Sequence, residues 1–507
     1  MSFARKHADR APDEVALADA ERRLRWSEVD DILNRGTERL LKADLGPARR
    51  IAVYASNRVE TMLAHLCGLL AGASVVPVNF HLTAEEAAFI LRDSGARLLL
   101  VGPAEAERGR EAAAAAGIRT VIGWDCDPVT GIVSFDEWLA AASGKEPRDD
   151  HAPRPNLMYT SGTTGFPKGT ELPPTMFADS RDIAEFVDKL AGASWAQFGR
   201  HLVVGPLYHT GPLGAVRILG GGVPVTVLER FDAETALRAI EEWQIESSVM
   251  VPTHFIRLLA LPEDVRARYD MGSLRHVYHT GAACPVDIKK EMLDWWGPVI
   301  HEAYGATEVG TTCRIGPEEW LAHPGSVGRP QPPFAARIVD EEGREVPAGT
   351  TGQIYFHDTT GRGIIYHENP EGSAAAHLEP GVFTLGEIGH VDEDGYLYIT
   401  DRSSDMILSG GVNIYPAEAE RVLTTHPGIH DAACIGIPHD EMGEELIAIV
   451  QPTDPASLPD PDEIRTYCRD HLSSYKCPRR VYLVEDLGRN AMGKLNKRAL
   501  RDAYTPG

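Results

Sequence analysis

Hydrophobic positions fall into two kinds of pattern along most of the chain. Short apolar runs of strand length alternate with longer amphipathic segments typical of helices, most clearly from residue 51 onward. The elements predicted there are strand Ile51–Tyr54, helix Thr61–Leu70, strand Ser74–Pro77, helix Glu85–Ser94 and strand Leu98–Val101. The pattern recurs as helix Ala233–Trp243 followed by strand Ser248–Val251. Apolar strands that alternate with helices indicate a parallel sheet covered by helices.

The pattern changes near residue 400, where a Ser/Gly-rich turn precedes a smaller set of elements. The elements predicted after the turn are helix Ala417–Leu423, strands Ala432–Ile437 and Leu446–Gln451, helix Asp462–His471 and strand Val481–Val484. We therefore predict an α/β fold with a large N-terminal body of helix-covered, parallel-rich sheets over residues 1–400. A hinge at 401–404 and a small mobile α+β domain at 405–507 complete the prediction.

Length and charge limit the classes of function. A chain of 507 residues is too long for one ordinary hydrophobic core, so at least two domains are expected. Lys and Arg number 50 against 74 Asp and Glu, which gives a formal charge of −24. Such a surface repels nucleic acids and anionic membranes. An anionic ligand would therefore need a local, organised binding site.

The cysteines and the N-terminus favour a cytoplasmic protein. The seven cysteines form no CxxC pair and no zinc-like cluster with histidine, as expected of reduced thiols. The N-terminal segment carries charges and no apolar run of the kind found in signal peptides. The longest uncharged stretch, Thr61–Ala84, is interrupted by glycine, proline and histidine, so we expect no integral membrane association. The oligomeric state stays open, a homodimer included.

The segment Tyr159–Gly169, YTSGTTGFPKG, concentrates hydroxyls, glycines and one lysine. Bare backbone N–H groups, hydroxyls and a positive charge around one concavity are what a polyphosphate needs. The candidate polyphosphate ligands in this loop are Thr160, Ser161, Gly162, Thr163, Thr164, Gly165 and Lys168. The loop is not a Walker A motif, because Gly169 follows the lysine where Ser or Thr should stand.

This loop resembles the phosphate loop of the adenylate-forming superfamily, which includes acyl-CoA synthetases, peptide-synthetase adenylation domains and insect luciferases. Further segments match the family's motifs in the family's order, over essentially the whole chain. They are Pro206–His209, Thr280–Ala283, Tyr304–Glu308, Leu385–Glu387, Thr400–Arg402, Ser409–Gly411, Asn413–Pro416 and Gly493–Lys494. The local amino-acid sequence is similar to that of bacterial CoA ligases for fatty, bile and polycyclic acids.

The resemblance implies an ATP-dependent acid–thiol ligase. A carboxylate is a poor electrophile, and attack on the α-phosphate of ATP converts it into an acyl-adenylate with release of pyrophosphate. The acyl group then passes to coenzyme A, and AMP leaves. Bringing two anions together is the main difficulty, so positioning and electrostatics should dominate the catalysis. The implied cofactors and partners are ATP, Mg²⁺, coenzyme A and a small carboxylic acid.

The resemblance also assigns roles around the nucleotide. Thr163, Thr164 and Lys168 would hold the β- and γ-phosphates, Thr307 the α-phosphate and Glu308 the Mg²⁺. Near the adenosine the implied residues are Tyr304 (adenine stacking), Gly281, Ala282, Ala283 and Gly305 (backbone approach), Arg402 and Glu387 (ribose). The family normally has Asp where this chain has Glu387, so we expect Glu387→Asp to tighten or leave unchanged the KM for ATP.

The small domain would supply the remaining groups. Lys494 matches the lysine that reaches the α-phosphate and the carboxylate during adenylation. The hinge position matches Ser404, where the family usually has Asp or Lys. The pantetheine tunnel would be lined by Ser409, Gly410, Gly411 and Tyr415.

His209 resembles the gate between the acid pocket and the ATP site, next to Tyr208. No acidic residue stands at 208–214 to pair with an ammonium group, which favours a non-amino acid. Small residues at Gly281, Ala282 and Gly305 leave volume for a bulky apolar acid. The alternatives are an enzyme that loads a carrier protein, one proficient in a single half-reaction, and a nucleotide-binding relic without activity.

Overall fold

A computed structural model describes residues 3–126, 131–160, 167–173, 180–340, 342–402, 405–409, 412–439, 442–472, 474–490 and 493–505. Its mixed α/β architecture, with a large N-terminal body and a smaller C-terminal sheet, confirms the predicted fold class. No helix among these residues is both long and apolar enough to cross a bilayer.

The largest sheet of the body has nine strands. In spatial order they are Arg329–Pro330, Gly310–Ile315, Ile300–Ala306, His276–His279, Ser247–Met250, His201–Val203, Val225–Val227, Val15–Ala18 and Arg23–Arg25. The six strands from Ile300–Ala306 to Val15–Ala18 run parallel, and the outer strands pair antiparallel. The inner parallel strands therefore share one carboxyl edge, where ligands bind in open α/β sheets.

Three further sheets complete the body. A five-stranded parallel sheet has the order Ser74–Val78, Arg50–Tyr54, Leu98–Val101, Thr120–Gly123 and Val133–Ser134. An antiparallel sheet contains His377–Glu379, Val382–Phe383, Gly352–Asp358, Glu387–Val391 and Leu397–Arg402, with Phe334–Val339 paired to Gly352–Asp358. A separate two-stranded hairpin pairs Leu157–Thr160 with Lys168–Glu171.

The C-terminal sheet contains strands Val412–Ile414, Ile407–Ser409, Gly443–Pro452 and Ile429–His439, with Arg480–Leu483 parallel to Gly443–Pro452. Helices Pro416–Leu423 and Pro461–His471 pack on one face, around buried Leu423, Ile464 and Cys468. Helix Lys497–Tyr504 packs on the other face, against a cluster that includes Ile435 and Ile447. The sheet thus has a core of its own on both sides.

Helices cover both faces of the parallel sheets. Their bounds in the body are Phe3–Arg10, Trp26–Lys42, Val59–Leu70, Ala84–Asp93, Ala106–Ala116, Phe135–Ala140, Ile183–Ala191, Thr210–Gly220, Ala233–Trp243, Pro252–Leu259, Glu263–Arg266, Val286–Trp296, Pro317–Ala322 and Pro370–Ala375. Short 3₁₀ turns are Pro103–Glu105, Ser194–Gln197 and Ser474–Lys476. Local signals set several ends: Thr83 and Glu86 form a capping box, and Pro416 occupies the first turn of its helix.

Candidate functional site

The site predicted from the sequence gathers at the carboxyl edge of the nine-stranded sheet. Strand His276–His279 leads into Thr280–Ala283, and strand Ile300–Ala306 leads into Thr307 and Glu308. These two strands are parallel neighbours, so their following segments lie side by side. Strand His201–Val203, two places along the sheet, leads toward Tyr208 and His209. Motifs up to about a hundred residues apart in sequence therefore meet at one edge.

The phosphate-loop segment forms the end of the two-stranded hairpin. Thr160 lies opposite Lys168 in the antiparallel register, so the loop between them begins and ends at one place. The Tyr159 hydroxyl donates to Asp93 at 2.6 Å, which fixes the first strand to the body. The candidate ligands Ser161, Gly162, Thr163, Thr164 and Gly165 lie outside the described residues. The structure thus places the two ends of the loop and leaves the roles of its tip as predictions.

Tyr366 links the hairpin to the predicted metal ligand. The Lys168 ammonium lies 5.5 Å from the centre of the Tyr366 ring, within the range of a cation–π contact. The Tyr366 hydroxyl lies 3.5 Å from Oε1 of Glu308. Burial, together with the charge of Glu308, raises the pKa of Tyr366 to about 12, so the phenol stays protonated at neutral pH. The backbone N–H of His367 donates to the Gly169 carbonyl at 2.7 Å and holds this segment along the hairpin.

Thr307 and Glu308 occupy the turn between two antiparallel strands. A bulge shifts the register between Tyr304 and Gly305, and a Cβ at Gly305 would lie 1.9 Å from the Gly310 carbonyl oxygen. Only glycine allows the strands to approach so closely, and bulges commonly redirect side chains next to active sites. The Thr210 hydroxyl lies 3.2 Å from that of Thr307. The turn therefore faces the start of helix Thr210–Gly220.

Glu308 is the predicted magnesium ligand, and its surroundings fit a hard cation. Mg²⁺ is usually held by one or two carboxylates, with phosphate and water oxygens completing the octahedron. Over the residues that the structure describes, no group of three or more His, Cys, Asp or Glu side chains could hold a metal by itself. A single carboxylate such as Glu308 suits a Mg²⁺ whose remaining ligands are phosphate and water oxygens.

The predicted adenosine residues also come together. The Tyr304 hydroxyl donates to Oε2 of Glu387 at 2.8 Å, and the Glu387 side chain is buried. Glu387 lies directly opposite Arg402 on the neighbouring strand, although the Arg402 side chain is outside the description. The loop Gly281–Ala283 is exposed, and Gly281 has a φ of +86°, a conformation that favours glycine. The carboxylate of the longer Glu387 side chain therefore has a hydrogen-bond partner in the structure, the Tyr304 phenol.

His209 and Tyr208 lie at the inner wall of the site. Their ring centroids are 4.4 Å apart, and Tyr208 also meets the edge of Phe80. Burial, together with the nearby charge of Lys494, lowers the pKa of His209 to about 3. The imidazole is therefore neutral over the physiological range. Lys494, from the C-terminal part of the chain, is thus one of the charges that act on His209.

The C-terminal turn that carries Lys494 touches the body. Gly493 has a φ of +71°, and a Cβ there would lie 2.0 Å from the Thr253 hydroxyl oxygen at the start of helix Pro252–Leu259. The Lys494 backbone N–H donates to the Asn490 side chain at 2.9 Å, and Arg489 donates to the Gly493 carbonyl at 2.9 Å. Hydrogen bonds from Arg489 and to Asn490 thus hold the backbone of this turn where it contacts the body.

The predicted tunnel residues are only partly described. Ser409 ends a short strand and is buried, and Tyr415 precedes helix Pro416–Leu423. Gly410 and Gly411, together with the hinge residue Ser404, lie outside the described residues. Asp401 accepts a 2.9 Å hydrogen bond from the backbone of Ala417 and so joins the predicted hinge to the small domain.

Sequence reasoning missed Tyr366, Asn490 and a buried ion cluster beneath the site. Only the Asn490–Lys494 turn carries a recognisable signal, because Asn and Gly close tight turns. In the cluster, Lys289 Nζ lies 2.6 Å from Oε2 of Glu302, and His279 Nε2 lies 3.2 Å from the same oxygen. Burial acts to raise the pKa of Glu302, but His279 and Lys289 outweigh it and lower the pKa. The cluster supports the two strands from which Thr280–Ala283 and Tyr304–Glu308 extend.

Lys289→Met is expected to destabilise the protein by about 3–5 kcal/mol, because it removes the permanent positive charge beside the buried Glu302 carboxylate and leaves only His279, whose pKa burial lowers. Thermal or urea unfolding monitored by circular dichroism would measure the change. The double variant Lys289→Met/Glu302→Gln should recover much of the loss, since no isolated charge remains. Equal destabilisation of the single and double variants would contradict an ionic role for the cluster.

Known protein families and relatives match this chain over most of its length. The family model described as AMP-binding enzyme matches residues 4–362, and the model described as AMP-binding enzyme C-terminal domain matches residues 418–494. A fatty acid–[acyl-carrier-protein] ligase, ScoC, from Streptomyces coeruleorubidus is 32% identical, over 98% of this chain and 95% of that one.

Two further proteins add a ligase and a solved structure. The 3-[(3aS,4S,7aS)-7a-methyl-1,5-dioxo-octahydro-1H-inden-4-yl]propanoyl:CoA ligase of Mycobacterium tuberculosis is 34% identical, over 97% of this chain and 96% of that one. The o-succinylbenzoate CoA synthetase of Bacillus subtilis, solved with an acyl-adenylate intermediate, superposes with a TM-score of 0.79 at 26% identity. That match covers 100% of this chain and 99% of the synthetase.

Proposed function

The chain belongs to the AMP-binding enzyme family, and we propose from that premise that it is an ATP-dependent acid–CoA ligase. It joins a carboxylic acid to AMP with release of pyrophosphate and then transfers the acyl group to coenzyme A. The observation that supports the proposal is that Thr307 and Lys494 both act on one short segment: the Thr307 hydroxyl lies 3.2 Å from that of Thr210, and the charge of Lys494 acts on the adjacent His209. Lys494 lies in the C-terminal turn at Gly493, and this turn contacts the body at Thr253.

In the first half-reaction the chain's own residues would bind and neutralise two anions. Lys168 and the hydroxyls of the 160–165 loop hold the β- and γ-phosphates, and Thr307 holds the α-phosphate. Lys494 approaches both the α-phosphate and the acid's carboxylate, and it offsets the charge that accumulates when they meet. Neutral His209 positions the carboxylate without competing for a proton, consistent with its lowered pKa. Tyr304, Glu387 and Arg402 hold the adenosine.

Mg²⁺ would be held by Glu308 and the phosphates and would supply further neutralisation of the pyrophosphate leaving group. Tyr366 positions this part of the site, because its hydroxyl faces Glu308 and its ring faces Lys168.

The second half-reaction needs a different arrangement of the small domain. We place the hinge at 401–404 and the mobile domain at 405–507, so that Lys494 withdraws after adenylation. Ser409, Gly410, Gly411 and Tyr415 then line the path of the pantetheine thiol toward the acyl carbonyl. A short segment between two cores is typical of hinges, and the C-terminal sheet has a core of its own.

The acid is a non-amino acid with a bulky apolar body, since the residues predicted to line its pocket, Tyr208, Gly281 and Gly305, are small or aromatic and no acidic residue stands at 208–214. A cytoplasmic setting agrees with the seven cysteines, all of which are described and none of which forms a disulfide. The second candidate function is the loading of a carrier protein, and the relative ScoC favours it specifically.

Pyrophosphate release tests the proposal across a panel of fatty, aromatic, steroid and diterpenoid acids, with coenzyme A or a phosphopantetheinyl carrier protein as acceptor. We expect acid-dependent release, and formation of acyl-CoA that exceeds acyl-carrier formation. Acyl transfer to the carrier alone would establish the second candidate. Absence of acid-dependent release with every acid would contradict both.

Glu387→Asp should raise the KM for ATP by roughly tenfold. The shorter carboxylate can no longer accept the charge-assisted hydrogen bond from the Tyr304 hydroxyl, so neither side chain is held in place by the other. This reverses the expectation from the sequence, where Asp appeared equivalent or better. Steady-state kinetics with varied ATP would measure it, with Tyr304→Phe as the matched control that keeps the ring. If the effects of Glu387→Asp and Tyr304→Phe on the KM for ATP add up in the double variant, the two groups act independently and this explanation fails.

A further inference from the structure

Helix Thr210–Gly220 leads away from the reaction centre. At its start, the Thr210 hydroxyl lies 3.2 Å from that of Thr307. Gly214 and Arg217 follow at spacings of four and seven residues, which places them on the same helix face as Thr210. An acid whose carboxylate meets the α-phosphate held by Thr307 can therefore extend along this face, past Gly214 and toward Arg217.

The described residues leave space on the helix face beside Gly214. Apart from its chain neighbours and the helix backbone, the one described group within 4 Å of a Cβ at Gly214 would be the Arg217 guanidinium, at 4.0 Å. At Gly211, by contrast, a Cβ would contact the side chains of Thr280 and Val249, each at 3.5 Å. The space thus begins beyond the first turn, and Arg217 borders its far end. Side chains of helices point back toward the N-terminus, so the guanidinium reaches over the open turn.

Arg217 keeps its charge in an enclosed setting. Burial, together with the charge of Arg314, lowers the pKa of Arg217 to about 10, which still leaves it protonated at neutral pH. Arg314 is exposed and lies directly opposite Arg329 on the neighbouring strand. Like charges placed opposite one another destabilise a sheet. The chain nevertheless concentrates positive charge here, although its formal net charge is −24.

We propose that Arg217 binds a second anionic group of the acid, so that the preferred substrates are dicarboxylic acids with an apolar body between the carboxylates. Guanidinium recognises carboxylate through two parallel hydrogen bonds, and this gives both affinity and orientation. The helix rise places the second carboxylate on the order of 6–10 Å from the first. The inference rests on the proposed ligase function and names the class of acid that the same site takes.

Two matched pairs of acids test the inference: octanoate against octanedioate, and 3-phenylpropanoate against 3-(4-carboxyphenyl)propanoate. The measured quantity is the ratio of kcat/KM for each dicarboxylate to kcat/KM for its monocarboxylate, from pyrophosphate release with ATP and coenzyme A. We expect the wild-type ratio to be tenfold or more for at least one pair. Arg217→Met should lower that ratio by tenfold or more, and Arg217→Lys should give an intermediate value.

The ratio separates recognition from folding, because both acids meet the same folded fraction of each variant. Arg238→Met, which removes an exposed arginine from another helix, is the matched control and should leave the ratio unchanged. A ratio below one in the wild type, or the same ratio in Arg217→Met, would overturn the inference. Activation of the monocarboxylates alone would refute it while leaving the ligase function intact, whereas failure of every acid would refute both.

Discussion

Replacing Lys494 with alanine is expected to slow acyl-adenylate formation by roughly 10²-fold or more, on the scale of losing one preorganised charge contact. The turn around Lys494 is fixed by Asn490 and Arg489, and it contacts the body at Thr253. The lysine therefore reaches the reacting anions with little reorganisation. Acid-dependent exchange of labelled pyrophosphate into ATP would measure the loss.

Thioester formation from a supplied acyl-adenylate should be largely spared in the same variant, since Lys494 is withdrawn in that step. Lys494→Arg is the matched control, because it keeps the charge but changes its shape and reach. We expect it to retain part of the adenylation rate. Equal losses in both half-reactions of Lys494→Ala would refute the role assigned to this residue.

Glu308→Gln is expected to lower acyl-adenylate formation by roughly 10²–10³-fold and to raise the Mg²⁺ concentration needed for half-maximal activity. Gln keeps the shape of the side chain and removes its charge, so the effect isolates the carboxylate as a ligand for a hard cation. Titrations with Mg²⁺ at fixed ATP would measure the shift, and calorimetry of Mg·ATP binding would confirm it without turnover.

Tyr366→Phe is the control for Glu308, because it removes the hydroxyl next to the carboxylate and keeps the ring next to Lys168. Its effect should stay within about tenfold, the scale of one hydrogen bond to a charged group. If the Mg²⁺ titration of Glu308→Gln coincided with that of the wild type, Glu308 would not be a metal ligand.

The elements predicted from periodicity are all present, with errors at their ends, whereas the antiparallel sheet between Phe334 and Arg402 was not predicted. The helix predicted to begin at Thr61 begins at Val59. The start was misplaced because Arg58, the residue before the helix, makes no side-chain cap, so the sequence carries no signal for it. The strand predicted as Ala432–Ile437 extends over Ile429–His439. The added residues include the polar His430, Asp431 and His439, which interrupt the apolar run, and the added ends follow the ladder formed with Gly443–Pro452, which only the folded sheet supplies.

The site was predicted where short motifs carry the chemistry, and missed where the chemistry depends on distant contacts. Glu387 and Arg402 were found from motifs, and they pair across adjacent strands. The contact of Tyr304 with Glu387 could not be predicted, because it joins two sheets through side chains 83 positions apart. Tyr366 is likewise positioned by its backbone pairing with the hairpin. The space beside Gly214 that Arg217 borders depends on tertiary packing, which no local sequence pattern reveals.

Transfer of oxygen from the acid to AMP tests the central claim most directly. The substrate would be an acid from the active part of the panel, labelled with ¹⁸O in its carboxylate, and the products would be analysed by mass spectrometry. Attack of the carboxylate on the α-phosphate predicts that one labelled oxygen appears in AMP for each acyl-CoA formed. Label in inorganic phosphate or pyrophosphate, or unlabelled AMP, would contradict activation through an acyl-adenylate.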